Sequence, residues 1–329
     1  MVKLTKPQVI SLLNNFRDKK VLVLGDVMLD RYLWGQVSRL SPEAPVPIVE
    51  IEDEYSRLGG AANVGNNIAS LGAVPYLVGV IGDDSSGQEL SGLMVKDRFP
   101  TIGLVKANDR PTTVKTRVIA HSQHVVRIDR ENRDPINSPT FEKVKQIVLN
   151  LISEVDAVIF EDYNKGLITA ELIRFVITEA QRHNKVITVD PKFDHFFEYK
   201  GVTVFKPNRR ETENILGVRL DNNEQITKSV KSLYEQLKCK SILITLGENG
   251  MALFNGDDEL KMIPTRAQKV ADVSGAGDTV ISTLTLALLS GASLEEAASL
   301  ANYAAGVVCG EVGIAPITRE RLLEGMFGE

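Results

Sequence analysis

The chain is predicted to adopt an α/β fold with a mostly parallel central sheet and a small β-sheet lid. Three observations carry that prediction. Short, nearly continuous apolar runs rich in β-branched residues recur along the chain, as expected of parallel strands covered on both faces. Helical patterns separate several of these runs. Two longer stretches alternate apolar and polar residues with no helix between them, the pattern of strands with one open face.

Taken in order, the strand candidates are "KVLVLGD" (20–26), "AVIFED" (157–162), "KVITVDP" (185–191), "VTVFKPN" (202–208) and "SILITLG" (241–247). "TAELIRFVITEAQRHN" (169–184) and "NEQITKSVKSLYEQLK" (223–238) read as helices between them. Several strands end in a polar residue or glycine: Asp26, Asp162, Asp190, Asn208 and Gly247. Open α/β sheets bind ligands beyond the carboxyl ends of their strands. The same residue types also make good turns and helix caps, so each position alone supports either role. The lid prediction rests on 36–60 and 112–131, read as antiparallel strands standing off the main sheet. Pro42, Pro45 and Pro47 suit an edge, where a missing N–H costs no ladder bond.

Bulk properties narrow the class. With 329 residues, 43% hydrophobic and 25% charged, the chain can bury a substantial core as one large domain or two modest ones. The formal net charge is −5 and no basic stripe is present, which argues against nucleic acid as the main partner. Cys239 and Cys309 match neither a metal-ligand spacing nor a disulfide framework. The first twenty residues lack the apolar core of a secretion signal, and no apolar run approaches the ~18 residues of a membrane span. A cytoplasmic location is expected.

Two common phosphate-binding signatures, G-x-x-x-x-G-K-[ST] and a strand followed by G-x-G-x-x-G, are absent, so neither a P-loop NTPase nor a standard dinucleotide oxidoreductase is supported. "VADVSGAGDTVISTLTLALLS" (270–290) offers a different device. Glycines let a backbone approach a ligand closely. If Asp278 begins the apolar helix that follows, the amides of Gly275, Ala276 and Gly277 face outward at the positive end of its dipole and form an anion site. Asp278 is then either an ordinary N-cap, stabilising the helix by ~1 kcal/mol, or a base beside an anion hole, as phosphoryl transfer requires. Locally, both readings stand.

Five motifs in order decide the wider context: "GDVMLDRY" (25–32), "LGGAANVGNNIASLGA" (58–73), "KPNRRE" (206–211), "TLGENG" (245–250) and "DVSGAGDT" (272–279). In this order they resemble the ribokinase-like, or PfkB, family of carbohydrate kinases over nearly the whole chain. That resemblance implies a three-layer α/β/α domain over residues 1–329, with lid strands from about 32–58 and 111–131. "GDVMLDRYLWGQVSRLSPEAPVPIVEI", "RPTTVKTRVIAHSQHVVRIDRE" (110–131), "DYNKG" (162–166) and "DPK" (190–192) are further similar to the kinase module of bacterial heptose 7-phosphate kinases. The implied reaction is ATP- and Mg²⁺-dependent phosphorylation of D-glycero-β-D-manno-heptose 7-phosphate at O1. Its 1,7-bisphosphate product leads to ADP-heptose for the lipopolysaccharide core. Such kinases are often fused to an adenylyltransferase carrying H-x-G-H; His121, His124, His183 and His195 form no such motif, so no adenylyltransferase domain is expected here. Two departures from the family pattern, Val273 and Leu58, remove no functional group used below.

The resemblance also implies roles. Asp278 is the base that takes the sugar hydroxyl's proton, and the amides of Gly275, Ala276 and Gly277 form the anion hole. Asn208 and Glu211 address the ATP phosphates and Mg²⁺ through water; the pair also fits a capping box. Thr245, Gly247 and Gly250 border the nucleotide, although a plain strand-to-turn junction reads the same way. Asp26, Asp30, Gly59, Gly60 and Asn63 meet the sugar. Arg117, Arg127 and Lys192 are the cations considered for the 7-phosphate, while Lys165 has no assigned role. The lid excludes water, and lids of two subunits clasp in a homodimer. Two other classes remain in view: a kinase of this fold acting on another sugar phosphate or a nucleoside, and a non-catalytic sugar or nucleotide binder.

Overall fold

The structure, a computed structural model, describes residues 4–97, 99–121, 123–257, 259–266, 272–311 and 313–328. Val270 and Ala271, which open the glycine-rich stretch, lie outside the described residues.

The strands, in chain order, are β1 (Lys20–Gly25), β2 (Val27–Leu40), β3 (Pro47–Gly60), β4 (Val74–Gly82), β5 (Leu104–Ala107), β6 (Thr113–Ala120), β7 (Gln123–Arg130), β8 (Ala157–Glu161), β9 (Val186–Asp190), β10 (Val204–Phe205), β11 (Ser241–Thr245), β12 (Met251–Phe254) and β13 (Lys261–Ile263). Nine of them form one sheet in the order β13-β12-β11-β10-β9-β8-β1-β4-β5. Pairing is parallel from β5 across to β11 and antiparallel only at β12 and β13. Each predicted strand is present, but the 202–208 run is shortened to Val204–Phe205. Pro207, which lacks an N–H, follows two residues later, although its carbonyl still accepts from the Thr245 amide.

The continuous apolar runs follow from coverage on both faces. Successive strand residues point to opposite sides. Val21 and Val23 accordingly enter one apolar cluster with the helices Ala61–Ser70, Ala276–Leu289 and Leu294–Val308. Leu22 and Leu24 enter the other, with Ser138–Leu151, Ala170–Arg182 and Asn223–Leu237. Three layers result. Helix Ala276–Leu289 is buried from Asp278 through Ala287 because it is covered by both the sheet and its neighbouring helices, as an all-round apolar helix requires.

The second sheet runs β3-β2-β6-β7 and is the lid. β2 and β3 form a long antiparallel hairpin paired from Val27–Gly60 to Leu40–Pro47, with Pro42 and Pro45 in the turn. The lid was expected to be antiparallel, but β2 pairs with β6 in parallel. The reason is topological: β2 follows β1 and β6 follows β5, and these parallel strands both release the chain at the carboxyl edge of the main sheet. The first lid hairpin extends past its predicted limits of about 32 and 58, to Val27 and Gly60, while β6 starts at Thr113, close to the predicted 111, so Asp30, Gly59 and Gly60 belong to the lid's root. No helix among the described residues is long and apolar enough to cross a membrane.

Candidate active site

The site is built where the carboxyl ends of β1, β8 and β9 meet the first turn of helix Ala276–Leu289. Glu161 and Asp190 close adjacent parallel strands and are register partners, so their side chains share a face. Asp278 approaches that face from the helix, and carboxylate oxygens of Glu161, Asp190 and Asp278 lie within 4.8 Å of one another. All three residues are buried. Burial foremost, then the neighbouring carboxylates, raises the pKa of Glu161 well above the usual range. One of its oxygens, Oε2, has no hydrogen-bond partner among the described residues.

Lys206 supplies the compensating charge. Its Nζ lies 2.6 Å from Asp190 Oδ2, and its side chain is only 2% exposed. Burial opposes that charge, but Asp190 and Glu161 outweigh it and hold the ammonium above its ordinary value. Lys192 pairs with Glu211, and burial is likewise outweighed by Asp190 and Glu211, so its pKa is raised. An isolated buried carboxylate would neutralise itself by taking a proton; with lysines alongside, the cluster can carry charge.

Asp278 is not the N-cap. Gly275 holds that position at φ 79, in the left-handed region, and the helix starts at Ala276, not at Asp278 or Thr279. The cap reading of Asp278 therefore fails, because its carboxylate is turned into the site. Oδ2 accepts from Asn63 Nδ2 at 2.7 Å and Oδ1 from the Tyr163 hydroxyl at 3.0 Å. Burial raises its pKa and Asp190 adds to this, while Asn63, Tyr163 and Lys206 pull it down. The amides around it are only partly free: Ala276 N donates to Val273 O at 3.3 Å, whereas those of Gly275 and Gly277 have no partner among the described residues.

Asn63 is delivered by the glycine pair. Gly60, at φ 57, caps the helix Ala61–Ser70 that carries it, and a Cβ at Gly59 would strike the Asp30 carboxylate. With Nδ2 committed to Asp278, the buried Oδ1 of Asn63 remains an unpartnered acceptor. Asp26, also buried, accepts from the amides of Tyr163 (2.9 Å) and Lys165 (3.0 Å). It thereby fixes the 162–166 loop at the end of β1 and turns Tyr163 towards Asp278. Asp162 points away from the cluster, accepting from Tyr199 and Asn164 at 2.8 Å each. Burial, then Asp26, lifts its pKa to about 7.

The remaining predicted residues divide. Asp30 is bound to Arg117, whose guanidinium also lies over the Tyr32 ring at 5.4 Å. Arg127 lies on an exposed strand and forms a two-bond pair with Asp129 on its own strand, outside the cluster. Asn208 and Glu211 form the capping box: Glu211 N donates to Asn208 Oδ1 at 2.9 Å and Asn208 N to Glu211 Oε2 at 2.8 Å. The other oxygen of Glu211 meets Lys192, so any further contact of this carboxylate shares oxygens already bonded. Thr245 ends β11 and bridges to Asn208. Gly247 and Gly250 adopt φ of 63 and 80 in the following turn.

Tyr163, Glu161, Asp190 and Lys206 were not assigned roles from the sequence. Lys206 carried a visible signal, a lysine inside an apolar run, since an unpaired lysine is almost never buried there. Tyr163 carried none, because its reach to Asp278 depends on the Asp26 latch.

The fold is that of the ribokinase-like kinases. Phosphofructokinase-2 from Escherichia coli, solved with substrates and products, superposes with a TM-score of 0.78 over 94% of this chain and 98% of that one, at 19% identity. Arabidopsis thaliana ribokinase, solved with ribose and ATP, gives 0.73 over 94% and 99%, also at 19% identity. The chain belongs to the pfkB family of carbohydrate kinases, whose model matches residues 18–320. It is similar to the bifunctional protein HldE of Helicobacter pylori strain HPAG1, 44% identical over 304 residues, which is 92% of this chain and 65% of that protein. HldE of Helicobacter hepaticus is 41% identical over 94% of this chain and 64% of its own length. The chain thus spans about 65% of the length of these curated relatives.

Proposed function

We propose that the chain transfers the γ-phosphoryl group of ATP to O1 of D-glycero-β-D-manno-heptose 7-phosphate, acting in the cytoplasm as the kinase portion of ADP-heptose synthesis for the lipopolysaccharide core. One observation carries the chemistry: Asp278, buried, oriented by Asn63 and Tyr163, and set in the first turn of a helix opened by Gly275. The substrate assignment is supported by the similarity of 25–51 and 110–131 to heptose 7-phosphate kinases.

In this reading Asp278 accepts the proton of the O1 hydroxyl as the O1–Pγ bond forms, the bond from Pγ to the β,γ-bridging oxygen breaks, and ADP leaves. The raised pKa of Asp278 brings it nearer the operating pH, where a general base works best. Donors on both of its oxygens keep it from being fully neutralised. The free amides of Gly275 and Gly277 face the transferring charge. The free Oδ1 of Asn63 accepts from a sugar hydroxyl, and the lid excludes water that would otherwise compete as acceptor.

Mg²⁺ fits the residues present. The unpartnered Oε2 of Glu161 and the all-oxygen cluster with Asp190 and Asp278 suit a hard cation, and Asn208 and Glu211 would reach it through water. When bound, such an ion neutralises charge on the transferring phosphates. We further propose one kinase domain over 1–329 and a homodimer through the lid, whose strands and turn expose Leu40, Val46, Ile51, Val126 and Ile128; apolar exposure on this scale marks interaction surfaces.

ADP release across a panel of sugars tests the assignment. Fastest turnover with the heptose 7-phosphate supports it; a larger kcat/KM with another sugar phosphate or a nucleoside refutes it.

A further inference from the structure

The cations near the reacting face are almost all paired with carboxylates. Arg117 meets Asp30, Lys165 meets Glu131, Lys192 meets Glu211 and Lys206 meets Asp190. Among the described residues neither Lys115 nor Arg110 has a carboxylate within ion-pair distance; the Arg110 guanidinium instead donates to the carbonyls of Lys165 and Asp134, whereas the Lys115 Nζ has no such acceptor. Lys115 stands on β6 with Arg117 two residues on, so the two side chains share a face of the lid. Asp30 on β2 and Asp129 on β7 are its register neighbours, but both are engaged, by Arg117 and Arg127. What Lys115 touches is the ring of Tyr163, with Nζ 4.9 Å from the centroid. That ring's hydroxyl is the one that donates to Asp278.

A half-buried ammonium without a counter-ion loses hydration and gains little from a single aromatic face. Burial depresses its pKa; Asp30 and Asp129 oppose that fall, while Lys165 and Arg117 add to it, whereas every site lysine with a carboxylate partner and a resolved shift is raised. The Lys115 ammonium can take a direct anionic partner, and it lies one tyrosine ring from Asp278.

We infer that Lys115 anchors an anionic group of the acceptor, a phosphate set apart from the hydroxyl that reacts. This rests on the sugar-kinase reading of the site and supplies what Arg127, exposed and paired on the lid, does not. A charged donor also explains how the site selects an already phosphorylated sugar: without that phosphate the ammonium stays uncompensated. Lys115 positions and selects the acceptor and takes no part in proton transfer.

The test compares wild type, Lys115→Met and Lys115→Arg on D-glycero-D-manno-heptose with and without its 7-phosphate. The readout is the ratio of kcat/KM for the phosphorylated over the unphosphorylated sugar. In Lys115→Met this ratio falls about 30-fold, the scale of one charge-assisted contact, and the loss sits in the acceptor KM. Lys115→Arg, which keeps the charge, recovers most of it. A ratio unmoved in Lys115→Met, or an equal loss on both sugars, overturns the inference. Should wild type prefer a different sugar phosphate, the heptose assignment fails, and the same ratio on that acceptor decides the role of Lys115. Preference of wild type for uncharged sugars overturns both.

Discussion

The hydroxyl of Tyr163 donates to Oδ1 of Asp278 at 3.0 Å, joining a loop at the end of β8 to the first turn of a helix 115 residues later. Neither residue could hold this geometry alone. Asp26 pins the loop through two amides, and Gly275 sets the start of the helix.

Removing that hydroxyl has a signed consequence. Tyr163 lowers the pKa of Asp278, so Tyr163→Phe raises it. A base must be deprotonated to work, and the acid limb of the kcat/KM profile therefore moves to higher pH. We predict a loss of about 10-fold at low pH, the worth of one hydrogen bond to a charged group, shrinking as pH rises. A pH–rate profile checks this; an acid limb that stays in place contradicts it.

Lys206→Met should be costly to the fold. It leaves Asp190 buried beside Glu161 with its nearest counter-charge gone. Breaking a buried pair by removing one partner costs about 3–5 kcal/mol. Urea unfolding measures it, and a stability within 1 kcal/mol of wild type would show that the pair is not held as described.

Asp162 makes stability depend on pH. Its carboxyl has a pKa of about 7 in the fold against 3.8 ordinarily, so the folded state keeps a proton that the unfolded chain has lost. The stabilisation is present below about pH 4 and lost as pH rises through 7, by roughly 4 kcal/mol at most. Asp162→Asn keeps a partner for Tyr199 and Asn164 and should flatten that part of the curve. Thermal unfolding from pH 4 to 8 tests it; an unchanged slope in the variant rules the assignment out.

Gly275→Ala tests the turn. The backbone there is left-handed, and a Cβ would lie 2.9 Å from Asn63 Nδ2. We expect about 1–2 kcal/mol of lost stability and a weaker hold on Asp278. Denaturant unfolding with parallel kinetics measures both; a neutral effect on each would mean the turn tolerates a side chain.

Much of this was legible in the sequence. The continuous apolar runs gave the parallel sheet because both faces are covered, and each of the five motifs reached a strand or helix end at the sheet's carboxyl edge or the lid's root. What stayed hidden was partnership across the fold. Whether Asp278 caps its helix depends on where the helix starts, and its place three residues past the Gly275 cap, which rules out the cap, is not legible locally. Lys192, Arg117 and Arg127 read alike as free cations, yet each has a carboxylate partner, while Lys115 has none. Parallel pairing of β2 with β6 depends on where distant strands leave the sheet, which local alternation does not encode.

Phosphoryl transfer in this site depends most directly on Asp278 as the proposed base. Phosphorylation of heptose 7-phosphate by Asp278→Asn, with ATP binding measured alongside, tests it. The predicted result is a fall in kcat of about 10²–10⁴-fold or more with ATP affinity largely retained, since only a transition-state interaction is lost. An Asp278→Asn enzyme that phosphorylates the sugar at the wild-type rate contradicts the role of Asp278 as base.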